Sequence, residues 1–300
     1  MNYFETIKSA LDASIGGICR LRGVTPGQAH QMAKQHLELM RDEWFSGTKP
    51  NIAYQDPICR FAYLYCHTAV NANLCEFALR SSPDVVALIN NKLNTLGELR
   101  VCAFGGGPGT ELLALTKHLC KTRTTGTHGV VQFTLLDYVP EWAESWNALE
   151  RSIRATLATR YGPFIKWPFS TSKTFSPFDM TKVDQYANLG ELMSHDLYLM
   201  NYVVSEVFDS AALQALVTRM SDAAPSGAKF VIVDRNQDHV ATTAAQLMTN
   251  AGLTVGAPVQ TSTNMDSDEQ TSALGAYPTQ IGRRPRVQWQ GAFWIVGTKP

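Results

Sequence analysis

The chain has 300 residues, 45% of them hydrophobic and 17% charged, enough for one full α/β domain with a helical extension and characteristic of a globular protein. Lys+Arg and Asp+Glu are both 26, so no overall field draws it to phosphate backbones or acidic membranes. No stretch reaches the ~18 uninterrupted apolar residues of a membrane span, and Met1 to Ala10 carry Glu5 where an export signal would be basic and then apolar.

The expected location is therefore cytoplasmic. Six cysteines (Cys19, Cys59, Cys66, Cys75, Cys102, Cys120) are scattered without a CxxC pair, the pattern of buried free thiols in a reducing compartment, and no metal site is expected.

Up to about Asn94 the chain shows helical periodicity and no strand signal. In Ala29 to Trp44 the residues Met32, Ala33, Leu37, Met40 and Trp44 recur on one face, with Lys34, Glu38, Arg41 and Asp42 between them. Asp56 to Leu79, rich in aromatics and Ala, predicts a largely buried helix that starts after Pro57, and Ser82-Pro83-Asp84 opens another toward Leu93. Residues 1–95 are expected to form a helical lid or substrate region of three to five helices, and 96–300 a second, α/β unit.

From Leu99 the pattern changes. Leu99 to Phe104 is a short apolar strand running into Gly105-Gly106-Gly107-Pro108-Gly109, and Thr110 to Leu119 is helical, which together open a nucleotide-binding βα unit. Further strands are expected at Val130 to Leu136, within Ser172 to Phe178, and at Asp196 to Val203, Lys229 to Val233, Leu253 to Val259 and Gly291 to Gly297. Helices are expected after Asp137, over Ser210 to Ala223 and over Thr242 to Ala251. Gln260 to Gln290, polar and rich in Gly and Pro, reads as a long loop.

Glycines in the turn let a ligand approach the main chain without a Cβ in the way, while the following helix presents free N–H groups. The dinucleotide spacing GxGxxG is absent, with Thr110 at its sixth position, and so is the GK[ST] ending of a phosphate-binding loop. The ligand is therefore expected to lack a pyrophosphate. Asp137, at the end of the next strand, is placed to accept hydrogen bonds from a ribose diol, and Tyr138 adjoins it. Asp179 is placed to accept from an adenine amino group, with Phe178 and Met180 packing on the ring. Each acid has the alternative of capping the helix that follows.

FGGGPGTE, LLDYVPEW, FDM and DLYLMNYVVSEVF, in this order, resemble the successive motifs of class I methyltransferases that use S-adenosylmethionine (SAM), over roughly Leu99 to Lys299. The resemblance implies a Rossmann-like, seven-stranded, mostly parallel sheet flanked by helices, with the last strand antiparallel. It implies that the loop holding Gly105, Gly106, Gly107 and Gly109 contacts the methionine moiety, that the acid matching Asp137 holds the ribose and that the acid matching Asp179 meets the adenine. Residues matching Asn201 and Tyr202 would border the methyl group. The helical start, the GGGPGT loop and the NYVVSE segment also look similar to ribosomal small-subunit methyltransferase-like proteins. Those often carry an iron–sulfur cysteine cluster; the missing CxxC array and the balanced charge here count against ribosome binding.

Methyl transfer is an in-line displacement, so the protein mainly aligns the acceptor and excludes water, and releases S-adenosylhomocysteine (SAH). Amino-methyltransferases of nucleobases often carry [DN]PP[YF] after the fourth strand, where this chain has Asn201-Tyr202-Val203-Val204. A small-molecule or protein acceptor is thus expected ahead of RNA, with an inactive SAM-binding protein as a further alternative. Glu206 and Tyr202 are the catalytic candidates, Glu206 as a base or else capping or pairing at the start of the next helix. Arg60, Tyr63 and His67 share one helical face; Tyr63 and His67 are the substrate candidates, against core packing with a solvated Arg60. Arg283-Arg284-Pro285-Arg286 with Trp289 either grips an anion or is solvated loop charge.

Overall fold

The computed structural model describes residues 1–44, 50–122, 129–161, 170–186, 194–207, 209–265 and 271–300. Helix α1 (Tyr3–Arg22) starts where the Asn2 side chain accepts from the Phe4 and Glu5 amides and stops at Gly23. Helix α2 (Pro26–Trp44) opens on a capping box, in which Gln28 Oε1 accepts from the Thr25 amide at 2.9 Å and Thr25 Oγ1 from the Gln28 amide at 3.3 Å.

The helix expected over Asp56 to Leu79 is two: α3 (Pro57–Cys66), capped by Asp56, and α4 (Thr68–Ser81). The break has a local cause. The Arg286 amide takes the Cys66 carbonyl at 3.0 Å, a group that an unbroken helix would engage with the Val70 amide. Helix α5 (Pro83–Asn91) runs into a π-helical turn, Lys92–Leu96, which ends at Gly97.

The sheet contains β1 (Glu98–Phe104), β2 (Val130–Asp137), β3 (Ser170–Pro177), β4 (Leu197–Asn201), β5 (Lys229–Arg235), β6 (Thr254–Val255), β7 (Val259–Asn264) and β8 (Gln288–Thr298). Its order is β3-β2-β1-β4-β5-β8-β6, with β7 also paired to β8. Strands β1 to β5 are parallel and β8 runs antiparallel to β5, so the expected Rossmann-like α/β architecture is present. Intervening helices are α6 (Thr110–Thr122), α7 (Trp142–Tyr161), α8 (Val203–Glu206), α9 (Ser210–Ala223), α10 (Asp238–Asn250) and α11 (Tyr277–Ile281).

The sheet has eight strands rather than seven. Two expectations near the end of the chain change as a result. The strand expected over Leu253 to Val259 is confined to the two residues of β6, and the expected loop from Gln260 holds β7, a short 3-10 turn at Thr271–Leu274, and α11. Strand β7 has no apolar face to betray it. It forms because β8, which begins at Gln288 instead of Gly291, offers a free backbone edge: Thr261 pairs with Ala292 and Thr263 with Trp289. Residues 266–270 of that stretch, like Phe208 in the fourth motif, lie outside the described residues.

Side chains alternate across the sheet and build two cores. Val101, Phe133, Leu199 and Val231 pack with α1, α3, α4, α6 and α7; Phe104, Tyr198, Phe230 and Phe293 pack with α9 and α10. The N-terminal helices therefore share one continuous core with a face of the sheet. All six cysteines are buried free thiols, and among the described residues no helix is long and apolar enough to cross a membrane.

Candidate active site

Strand order reverses between β1 and β4, and the crevice at the carboxyl ends of these strands is where open α/β sheets place ligands. At the end of β1 the chain turns through the glycine loop. Gly107 (φ 49) and Gly109 (φ 92) adopt a left-handed backbone, and the Gly109 amide donates to the Gly106 carbonyl at 2.8 Å before α6 begins. A Cβ on Gly109 would lie 2.2 Å from the ring of Trp146, while one on Gly106 would lie 3.0 Å from both Glu111 and Leu135. Gly106 and Gly109 thus serve close packing. Gly105 and Gly107 instead face a cavity of about 780 Å³.

Asp137, at the end of β2, is tied to this loop. Its Oδ2 accepts from the Gly107 amide at 2.9 Å and its Oδ1 from the Val139 amide at 3.0 Å. Burial pushes its carboxyl up to about 6 against the pull of these bonds. The Tyr138 amide also approaches the carboxylate, which still has acceptor capacity left, and Asp137 and Tyr138 both line the cavity. Asp179 lines it too, although its Oδ1 already accepts from the Thr181 amide at 2.9 Å and hydroxyl at 2.7 Å, which closes a local turn rather than capping a helix. Met180 borders the same space, whereas Phe178 lies behind it, packed on Phe104 and Tyr186.

Asn201 ends β4, and Tyr202 and Glu206 follow it, all on the cavity wall. The Asn201 side chain is buried beside Glu111 and Cys75 and makes no well-formed hydrogen bond. Tyr202, with φ 60, is the one non-glycine residue with positive φ among the described residues; its amide donates to the Val233 carbonyl at 2.8 Å. Burial raises its phenol well above the ordinary value, and its ring lies 5.2 Å from that of Trp289.

Asp234 receives the Ser205 amide at 3.0 Å and so fixes the start of α8. On that helix Glu206 is 3.5 Å from the Arg235 guanidinium, with its side chain 38% exposed toward the cavity. Desolvation by the surrounding protein pushes its carboxyl up to about 7; Arg235 opposes the shift, and Asp234 and Asp137 add to it.

The N-terminal helices supply one wall. Tyr63 lines the cavity with Trp44 and Tyr54, and its hydroxyl accepts from Asn71 at 3.2 Å. His67 does not reach it. Its ring stands edge-on to Trp44 at 4.7 Å, and burial, with Arg286 and Arg283 nearby, lowers its pKa to about 3. Arg60 is neither solvated nor on the wall: it is buried, donating to the Tyr54 and Gln55 carbonyls at 2.9 Å each and pairing with Glu144 at 2.6 Å. It thereby anchors the segment that carries Tyr54.

Arg286 stacks 3.6 Å over Trp289, and Tyr65 donates to the Arg283 carbonyl at 2.6 Å. Arg286 and the Arg283 backbone are thus tied to neighbouring elements, Arg284 is exposed, and none of the three arginines lines the cavity. Glu111 and Trp142 stand at the ends of the first two motifs without an assigned role, and Tyr54 and Trp44 carried no local signal of a site. Glu111 is almost fully buried, and burial together with Asp137 lifts its carboxyl to about 8, so it is protonated at neutral pH.

No family model and no curated protein matches the chain. Among solved structures it is similar to an O-methyltransferase family protein from Burkholderia thailandensis, with 16% identity, TM-score 0.45, and 88% of this chain and 70% of that one covered. It is also similar to the mitomycin 7-O-methyltransferase MmcR (15% identity, TM-score 0.44, 90% and 68% covered). A third is a precorrin-6y C5,15-methyltransferase from Geobacter metallireducens (12% identity, TM-score 0.40, 73% and 90% covered).

Proposed function

We propose that the chain is a SAM-dependent methyltransferase acting on a small molecule or a protein side chain, with donor and acceptor meeting in the cavity above the glycine loop. The observation that carries this reading is the coupling of Asp137 to Gly107: one hydrogen bond joins the turn that a ligand backbone can approach to the acid that a ribose requires. The volume, about 780 Å³, suits a nucleoside-sized ligand with a small partner. Among the described residues the wall holds no Lys, Arg or His, which fits a ligand without phosphates.

In this reading Gly105 and Gly107 present backbone to the methionine moiety, and Gly106 and Gly109 hold the turn in shape. Asp137 and Tyr138 meet the ribose. Asp179 and Met180 meet the adenine, with Phe178 behind them. Asn201, buried with unmet hydrogen-bonding capacity at the end of β4, borders the reacting centre with Tyr202. SAM supplies a methyl group on a sulfonium. Glu206, with a carboxyl near neutrality, takes the acceptor proton, and Tyr63 closes the acceptor side, with residues 1–95 contributing that wall. The lack of a cation on the wall among the described residues counts against RNA.

Calorimetry with SAM and SAH tests the binding half, and incubation of methyl-labelled SAM with a fractionated cell extract tests transfer. Micromolar SAM binding and label in a small-molecule or protein fraction are expected. A folded chain that binds neither SAM nor SAH overturns the proposal, and label in RNA overturns the acceptor class.

A further inference from the structure

Resting on that reading, we infer that the acceptor is an amine, received as an ammonium ion by the ring cluster of Tyr54, Tyr63 and Trp142 together with the Glu206 carboxylate. The three rings all line the cavity, with centroids 5.8 Å apart for Tyr54 and Tyr63, 5.2 Å for Tyr54 and Trp142, and 5.5 Å for Tyr63 and Trp142. Tyr54 and Tyr63 meet edge to face at 84° and Tyr63 and Trp142 at 68°, so the three rings pack as one aromatic cluster on this side of the cavity. Such rings attract ammonium groups through their quadrupoles, most strongly where water is scarce.

Charge points the same way. Asp137, Asp179, Glu206 and Asp209 line the cavity, and among the described residues no basic side chain does. The first two belong to the donor, and Asp209 is engaged in capping α9 through the Ala212 amide at 3.0 Å. Glu206 is left to face the acceptor. Its neighbour Arg235 sits outside the wall, held 3.4 Å from the Trp44 carbonyl. An anionic acceptor would meet four carboxylates, of which Glu206 alone is offset from behind by Arg235 at 3.5 Å, and among the described residues no cation on the wall, whereas an ammonium meets a carboxylate and three rings.

The proton balance follows. The ammonium gives one proton to the Glu206 carboxylate, and the freed nitrogen lone pair forms the N–C bond as the C–S bond of the sulfonium breaks, leaving a neutral thioether and an N-methylated ammonium. The same rings then hold the product cation, whose further deprotonation at Glu206 sets whether a second methyl can be added.

The test is a binding measurement on the full chain saturated with SAH. Calorimetry compares choline, its uncharged carbon isostere with a tert-butyl group in place of trimethylammonium, and the anion tert-butylacetate. Choline should bind at least ~10-fold more tightly than the isostere, and tert-butylacetate should not bind. Tyr54→Leu and Glu206→Gln should each weaken choline while leaving SAH affinity unchanged, and Tyr54→Phe, which keeps the ring, should restore most of it. Equal binding of choline and isostere, or no choline binding to a chain that binds SAH, overturns the amine assignment alone. Failure to bind SAH overturns the functional reading beneath it.

Discussion

Replacing Gly109 by alanine puts the glycine loop under a quantitative test. The new Cβ would sit 2.2 Å and 2.3 Å from two ring carbons of Trp146, whose side chain is 2% exposed and packed on Phe133 at 5.6 Å. A methyl group needs about 3.5 Å, so ring or loop must move by roughly 1 Å in a close-packed core, an overpacking penalty of about 1–3 kcal/mol. The backbone at φ 92 adds strain of about 1–3 kcal/mol for any residue with a Cβ. The sum, about 2–6 kcal/mol, is a large share of the roughly 5–15 kcal/mol that holds a domain folded.

Gly227→Ala is the control: φ is 83 there, and nothing lies within 4 Å of the added carbon. It bears the strain without the clash. Urea denaturation followed by fluorescence should give a lower midpoint for Gly109→Ala than for Gly227→Ala, and Trp146→Leu should recover part of the difference in a double-mutant cycle. Equal losses for the two alanine variants would refute the packing argument.

Three further outcomes are expected. Asp137→Asn leaves one of the Gly107 and Val139 amides without an acceptor and should raise the SAM Kd at least ~10-fold, measured by calorimetry; an unchanged Kd in a folded variant removes Asp137 from the site. Because Glu206 accepts a proton only when ionised, kcat/KM should rise with pH through about 7, and Glu206→Gln should abolish that limb of the profile. Glu111, lifted to about 8 from an ordinary 4.5, holds its proton in the folded chain where the unfolded chain has lost it, so stability falls as pH rises across that window. Glu111→Gln should lessen the fall in denaturation free energy between pH 5 and pH 8, by on the order of 1 kcal/mol per pH unit; an unchanged slope would show that Glu111 is not buried as a neutral acid.

The glycine turn, Asp137 and the apolar β4 were readable because each depends on its own neighbours in sequence: a run of β-forming residues, a turn that only glycine permits, an acid at a strand end. The rings around the acceptor space were not. Trp142 opens a helix, where a tryptophan serves a core face equally well, and Tyr54 lies in an irregular segment held by Arg60, 6 residues on. Tyr63 and His67 share a face in sequence, yet His67 sits where α3 ends and the chain redirects, so only Tyr63 reaches the cavity. Strand β7 was hidden because edge pairing needs only backbone, and its exposed polar side chains match those of a loop.

Strand β8 bears on how the chain acquires its structure. One edge of β8 carries β5 while β6 and β7 lie end to end along the other, although both precede it in the chain. Neither can join the sheet until Gln288–Thr298 has slotted in beside β5, some 60 residues after β5 itself. Completion of the sheet is therefore a late, long-range event with a correspondingly slow rate. A nascent chain stalled before Gln288 would leave the β5 edge open for pairing with another molecule. Hydrogen exchange during refolding would register this as late protection of the β5 and β7 amides, with those of β1 and β2 protected earlier.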